Sequence, residues 1–198
     1  MLRLPPALWL LGLAVGVSHA PQEPSLEHGD LVFQVSTSAQ SSAIQAAQGS
    51  AWTHVGIVEQ AADGTFVVEA EGKVVRTPWA RFRARGAGGE VLVLRARDLD
   101  GPARAAVVAA ARRELGKPYD ARFGWGDDAL YCSELVVKAF ERGAGLHLGR
   151  PVPLGELDLR GLEPALRARF GGAPPLEQLV VTPASLVEDP ALAQVSRG

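Results

Sequence analysis

There is one cysteine in 198 residues, which excludes an internal disulfide and any zinc site built on paired Cys/His spacings. Stability must therefore come from an apolar core. The formal net charge of −2 gives no electrostatic reason to bind nucleic acid. No apolar run reaches the roughly 20 residues that span a bilayer, so no stable membrane span is expected. Internal repeats and low-complexity tracts are absent. No metal or organic cofactor is indicated, and nothing signals a particular oligomeric state.

What is present begins with an export signal. Arg3 precedes an apolar stretch from Leu8 to Val15, and Ser18-His19-Ala20 has the small-x-small pattern of a cleavage site. Residues 1–20 read as a signal peptide, so the product is expected to be secreted or periplasmic. No cysteine lies near Ala20, which excludes a lipid-attached N-terminus of the lipoprotein kind. Residues 21–198 are expected to form a single domain with room for a proper core. Outside the cytosol a cysteine is normally half of a disulfide. Cys132 has no internal partner, which leaves a small buried apolar residue or a reactive thiol. Its surroundings favour the thiol.

Strands are expected over 31–35, 52–59, 66–70 and 90–95, with a tight turn at Ala62-Asp63-Gly64-Thr65 joining the second and third. The Ala/Gln/Ser-rich piece 38–48 reads as a helix ended by Gly49. A second helix spans 102–115, with Pro102 at its start and Gly116 past its end. Residues 116–129 form an irregular aromatic loop. From Cys132, the set Leu135, Val136, Ala139 and Phe140 repeats at three and four residues, an apolar helical stripe stopped by Gly143 and Gly145. Residues 149–175 look like a long connection with a short central helix. Leu179-Val180-Val181 suits a last strand, and Thr182-Pro183 the cap and first position of a short helix. The fold class is α+β, its antiparallel strands gathered before the helix of Cys132.

Cys132 falls in the first turn of that helix and on its inward stripe. Unpaired N–H groups and the positive helix end favour a thiolate, the nucleophilic form. A base must still take the proton. His19 lies in the signal, His28 near the mature start and His147 in a loop. His54 lies inside a strand, on the face shared by Gly56 and Val58, where a base is firmly held and Gly56 leaves space. Alone it would read as a core histidine; with Cys132 it becomes the expected base. Glu69, in the hairpin partner strand, is the expected orienter of His54, because the Asp63-Gly64 turn sets the two at nearly symmetric offsets. Glu71 points to the same face and stays open as an alternative. Backbone N–H groups of Cys132 or Ser133 are expected to hold the oxyanion; Tyr119 either adds its hydroxyl from the preceding loop or packs as a buried ring. Glu134 is expected on the helix surface as a partner of Lys138. The basic segment 76–85, with Arg76, Arg81, Arg83 and Arg85, reads as a solvated face or loop rim.

Gly116-Lys117-Pro118-Tyr119, then a Gly/Trp loop and Cys132-Ser133-x-Leu135-Val136, resembles the signature of NlpC-type cell-wall cysteine peptidases. In those, the cysteine precedes the histidine along a papain-like chain. Here Thr53-His54-Val55-Gly56-Ile57-Val58 comes first. That order, with Gly29-Asp30-Leu31-Val32-Phe33, Cys132-Ser133-Glu134-Leu135 and Thr182-Pro183-Ala184-Ser185-Leu186, is similar to the circularly permuted YiiX-type branch. The resemblance covers residues 28 to 187. It implies a permuted papain-like fold in which a β-sheet or barrel packs on the cysteine helix. It also implies Cys132 as nucleophile, His54 as base, Glu69 as third polar residue and Tyr119 as a substrate or oxyanion contact. Tyr131 stands where the parent family has Asp, and Glu134 where it has a small residue, so the rim of the cleft differs.

The expected function is therefore an exported cysteine hydrolase that cleaves amide bonds through an acyl-enzyme. A peptide or peptidoglycan-derived fragment is the expected substrate. Two alternatives accompany it. The wider permuted superfamily implies a lipid or acyl-ester enzyme of the lecithin–retinol type, with an apolar groove lined by Phe123, Trp125 and Leu130. The other is a non-catalytic binding domain on the same scaffold.

Overall fold

Apolar residues in the strands run consecutively, as in Leu31-Val32-Phe33, Ile57-Val58 and Val91-Leu92-Val93-Leu94. Such runs suit strands covered on both faces. The computed structural model describes residues 24–198; the expected signal peptide, residues 1–20, lies outside the described residues. In chain order the elements begin with β1 (Leu31–Gln34), α1 (Ser41–Gln48), β2 (His54–Ala61), β3 (Gly64–Glu71), β4 (Lys73–Pro78), α2 (Trp79–Arg85), β5 (Val91–Ala96) and α3 (Gly101–Arg113). They continue with α4 (Cys132–Ala144), β6 (Val152–Pro153), α5 (Glu163–Phe170), β7 (Leu179–Val180), α6 (Pro183–Val187) and β8 (Leu192–Arg197). Six strands make one antiparallel sheet in the order β4-β3-β2-β1-β5-β8, and β6 pairs with β7 separately. No helix among the described residues is long and apolar enough to cross a membrane.

Both faces of the sheet are indeed covered. Leu31, Phe33, Val55, Ile57 and Val68 face α3 and α4 and share a core with Leu135, Val136 and Phe140. Fully burying each of these side chains contributes about 1.5–3 kcal/mol. Val32, Val58, Val67 and Val93 face the other way, onto Phe82 of α2. The helices α3 and α4 touch closely at Gly143, where an added Cβ would lie 2.5 Å from the Val107 backbone. Asp100 caps α3 by accepting a hydrogen bond from the Ala103 N–H at 2.8 Å, and Thr182 caps α6 through the Ser185 N–H. At the other end of α4, Gly145 takes the left-handed conformation that closes the helix (φ 65°).

Three elements depart from expectation. Residues 76–85 are neither a loop rim nor a free basic face: they complete β4 and form α2. Arg76 donates to Glu59 at 2.8 Å and also pairs with Asp63, its guanidinium lying 3.2 Å over the Phe66 ring, while Arg85 pairs with Glu69. The charges hid the element, since α2 buries only Phe82. The last strand is β8, an edge strand with Leu192 as its one fully buried residue, so the strands are not all gathered before the cysteine helix. Glu134 and Lys138 do pair, at 2.8 Å, but both are buried rather than on the helix surface. Lys138 also donates to the carbonyls of Trp125 and Gly126, which pins the 116–131 loop onto α4.

Candidate active site

The turn at Asp63-Gly64 sets the hairpin register with Ala61 opposite Gly64, and this places Glu69 opposite Gly56. Glu69 is therefore the diagonal neighbour of His54, not its direct partner as the near-symmetric offsets suggested. Diagonal residues on one sheet face come within reach of long side chains. Gly56 makes the approach possible, because a Cβ there would sit 2.3 Å from Val67 Cγ1 and 3.1 Å from Glu69 Cβ. The outcome is a hydrogen bond from His54 Nε2 to Glu69 Oε2 at 2.5 Å, with both residues buried. Glu71 is half exposed and lies 4.0 Å from Arg85.

With Nε2 given to Glu69, the other side of the ring is left for Cys132, which interacts with His54 and favours its protonated form. Burial by itself disfavours the imidazolium. The interactions with Cys132 and Glu69, and the negative charge of both, outweigh it and raise the His54 pKa to about 10. Burial likewise pushes the Glu69 carboxyl up, but His54, Arg85 and Thr77 overcome this and hold it down at about 2. Arg85, at the end of α2, donates to the same Oε2 at 2.6 Å. Arg85 reads in the sequence only as part of a solvated basic segment, and Thr77 is not singled out there. The available signal was a buried carboxylate without a counter-charge, which an uncharged strand pattern could not reveal.

Cys132 opens α4, where unpaired backbone N–H groups converge. The Glu134 carboxylate accepts from the Tyr131 N–H at 3.3 Å and so holds this turn. Tyr131 and Ser133 are fixed on a single residue: the Tyr131 hydroxyl accepts from Val181 N–H at 3.1 Å, and Ser133 donates to Val181 O at 2.7 Å. Their hydroxyls are thus tied to backbone beside Cys132. Tyr119 is brought in by a short ladder, in which its N–H donates to Gly72 O and Leu130 N–H donates to Pro118 O. Burial pushes its phenol up, with the Cys132 charge next in effect, so the hydroxyl stays protonated as a donor. The other described histidines are elsewhere. His28 bonds to Gln60, and His147 is exposed beside Glu141.

A cavity of about 200 Å³ opens beside Cys132 and is lined on that side by Tyr119, Phe123 and Tyr131. Of the residues expected in an apolar groove, Phe123 is in its wall. Leu130 instead lies fully in the core, and Trp125 stands 43% exposed beneath Lys138. Phe123 is the one described residue other than glycine with a left-handed backbone (φ 53°). Asp120 holds it by accepting from the Arg122 and Gly124 N–H groups, and Gln178 by donating to the Arg122 and Phe123 carbonyls.

One donor atom each from His54, Glu69 and Glu71 falls within 4.8 Å of the others. That spacing suits a metal ion. The Arg85 guanidinium already supplies the positive charge at this point, however, and a metal would have to displace it and take His54 from Glu69. As built, these residues suit the Arg85 cation and not a second one.

Residues 25–196 match the family described as "Permuted papain-like amidase enzyme, YaeF/YiiX, C92 family". The chain is 36% identical over 193 residues to the uncharacterized protein YiiX of Escherichia coli strain K12, covering 96% of this chain and 95% of that protein. A crystal structure of YiiX from Escherichia coli O157:H7, described there as a metalloprotein, superposes with a TM-score of 0.83. It shares 36% identity, covering 87% of this chain and 97% of that one. A six-stranded antiparallel sheet, a cysteine opening the helix packed on it, and a match over nearly the whole described chain place this protein in the permuted papain-like amidase family.

Proposed function

We propose that the protein is a thiol amidase in which Cys132, His54 and Glu69 act together. The observation that carries this reading is the position of His54, hydrogen-bonded to the buried Glu69 and interacting with Cys132 strongly enough to favour the imidazolium. Cys132 sulfur attacks the amide carbonyl carbon and a C–S bond forms. The tetrahedral oxyanion meets the N–H groups at the start of α4 and the protonated Tyr119 hydroxyl. His54 gives its proton to the amine nitrogen, the C–N bond breaks and the amine leaves. Water then attacks the thioester, His54 takes a proton from it, and the C–S bond breaks to release the carboxylic acid. Glu69 holds the imidazole in position and balances its charge throughout.

Export, as the N-terminal signal suggests, would set the enzyme among cell-wall peptides, and that substrate class is kept as part of this reading. The lipid alternative is favoured by the apolar cavity beside Cys132. The word metalloprotein, used of the relative, suggests a metal on His54, Glu69 and Glu71; Arg85 speaks against it, and no step is assigned to one. The test is intact-mass detection of an acyl adduct on Cys132 with activated amides and esters. An adduct in the wild type, absent in Cys132→Ala and slowed by 10²–10⁴ in His54→Ala, is the expected result, a range typical of lost general acid–base catalysis. A protein that never acquires an adduct, or a Cys132→Ala variant that still turns over, refutes the proposal and leaves a binding domain.

A further inference from the structure

The oxyanion donors belong to two separate pieces of chain. The N–H groups of Cys132 and Ser133 lie in the first turn of α4, whereas the Tyr119 hydroxyl lies in the loop 116–131. Donors from both can serve one developing charge only if the two pieces keep a common frame, to within about 0.5 Å. The bonds from Tyr119 N–H to Gly72 O and from Leu130 N–H to Pro118 O tie the loop to the β3–β4 turn and to itself. Neither reaches α4.

Glu134 and Lys138 supply that tie, and both are buried. One oxygen of the Glu134 carboxylate accepts from the Tyr131 N–H at 3.3 Å, and the other meets Lys138 Nζ at 2.8 Å. The carboxylate thus takes the cap N–H and not those of Cys132 and Ser133. Lys138 directs its other donors to the loop: to the Trp125 carbonyl at 3.3 Å, the Gly126 carbonyl at 2.5 Å and the Asp127 carboxylate at 2.9 Å. From Asp127 the charges continue through Arg142 and Glu114 to Lys117, two residues before Tyr119. The loop is held on both sides of Tyr119.

Stability alone does not account for the pair. Desolvating two charges cancels most of what their attraction returns, and well-packed neutral residues in such a place usually give equal or greater stability. Adjacent positions of α4 are filled in that way, by Leu135, Val136 and Ala139. What the pair adds, and hydrocarbon cannot, is direction. It fixes one N–H and two carbonyls from different segments at hydrogen-bond distance.

We propose that Glu134 and Lys138 are positioning residues that lock the start of α4 and the Tyr119 loop into one oxyanion site. They act through Tyr131 and through residues 125–127, not on the reacting atoms. This rests on the thiol-amidase reading and adds the pair that keeps its donors in register.

The experiment compares the wild type with the double variant Glu134→Gln/Lys138→Met. There Gln can still accept from the Tyr131 N–H, and Met fills the space of the lysine stem with no charge left unpaired. Melting temperature, backbone hydrogen exchange, and kcat and KM on activated amides are measured. The melting temperature is expected to hold. Exchange at the Tyr119 and Leu130 N–H groups is expected to quicken at least about tenfold while β1 and β2 keep their protection. The kcat is expected to fall about 10²-fold, the effect of a displacement near 1 Å, with KM changed less than about threefold. Glu134→Gln alone, which keeps the cap bond and the lysine, is expected to lose part of kcat at the same KM. A double variant that melts far below the wild type, or loses protection throughout the sheet, marks a merely structural pair and overturns the proposal. Wild-type kcat in both variants also overturns it. If the wild type shows neither turnover nor a Cys132 adduct, the amidase reading fails by itself. Exchange then decides the rest: quickening confined to the loop keeps the pair as its tie, and unchanged exchange removes it.

Discussion

Arg85 and His54 share one oxygen: both donate to Glu69 Oε2, at 2.6 and 2.5 Å. The carboxylate is therefore held between a permanent cation and one that can titrate. Desolvation favours a protonated Glu69, and the two donors reverse that preference. Replacing Arg85 with Met removes the permanent one, so the Glu69 carboxyl is expected to move up from about 2 and the acid limb of the kcat/KM profile to shift to higher pH. A pH-rate profile checks this, and an unshifted acid limb limits Arg85 to packing.

The two acidic residues facing His54 differ in burial, and turnover should separate them. Glu69→Gln is expected to lower kcat by roughly 10²–10⁴, the range for disturbed general acid–base chemistry. Glu71→Gln, half exposed and 4.0 Å from Arg85, is expected to change kcat less than threefold, as surface substitutions seldom cost more than about 0.5 kcal/mol. Steady-state kinetics on the two variants decides which acid orients the imidazole.

Gly56 has no side chain because Val67 and Glu69 occupy the space. Gly56→Ala is expected to cost about 1–3 kcal/mol, the usual range for overpacking, and to lower kcat by pushing Glu69 off His54. Chemical denaturation gives the first quantity. In the double variant with Val67→Ala, the 2.3 Å clash with Val67 Cγ1 is removed, and part of the stability is expected to return.

Stability should vary with pH in a definite pattern. Glu69 is lowered to about 2, so its contribution is present above about 4.5 and is lost as pH falls through the folded value. His54 is raised to about 10, so its contribution is present below about 6.5 and is lost as pH rises toward 10. Glu134 runs the other way: burial lifts it to about 7 against the pull of Lys138. Its folded form keeps the proton more tightly, so it lowers stability as pH climbs from about 4.5 to 7. Thermal melts from pH 3 to 10 should show a maximum near pH 4.5–5, and Glu134→Gln should flatten the decline between 5 and 7.

A chelator is expected to leave turnover unchanged, because Arg85 takes the place a metal would need among His54, Glu69 and Glu71. Activity measured after treatment with EDTA, with and without added zinc, tests it. Loss on chelation and recovery with metal would contradict the role given to Arg85.

Much of the frame was legible because it is local. The stripe from Cys132 to Phe140 recurs every three or four residues, and Asp63-Gly64 is a turn by its own backbone preferences. Elements that depend on distant partners were not legible. In α2 only Phe82 is buried, and the arginines of 76–85 look like a solvated face in sequence, whereas Arg76 of β4 pairs with Glu59 and Arg85 of α2 with Glu69. The edge strand β8 shows a weak apolar pattern because one of its faces has little to cover. Glu134 and Lys138 were recognisable as a pair from their spacing of four, yet not as a buried pair, since burial is decided by what the 116–131 loop lays over them.

The amino-acid order alone determined that one sulfur begins a helix, that an imidazole stands in a strand upstream, and that an acid follows it across a two-residue turn. These are consequences of periodicity and turn chemistry, which act over a few residues. Only the folded chain decided that Glu69 reaches His54 diagonally over Gly56, that Arg85 completes the charge balance, and that Tyr131 and Ser133 spend their hydroxyls on Val181. Each of those depends on side chains far apart in sequence competing for the same space or the same hydrogen bond.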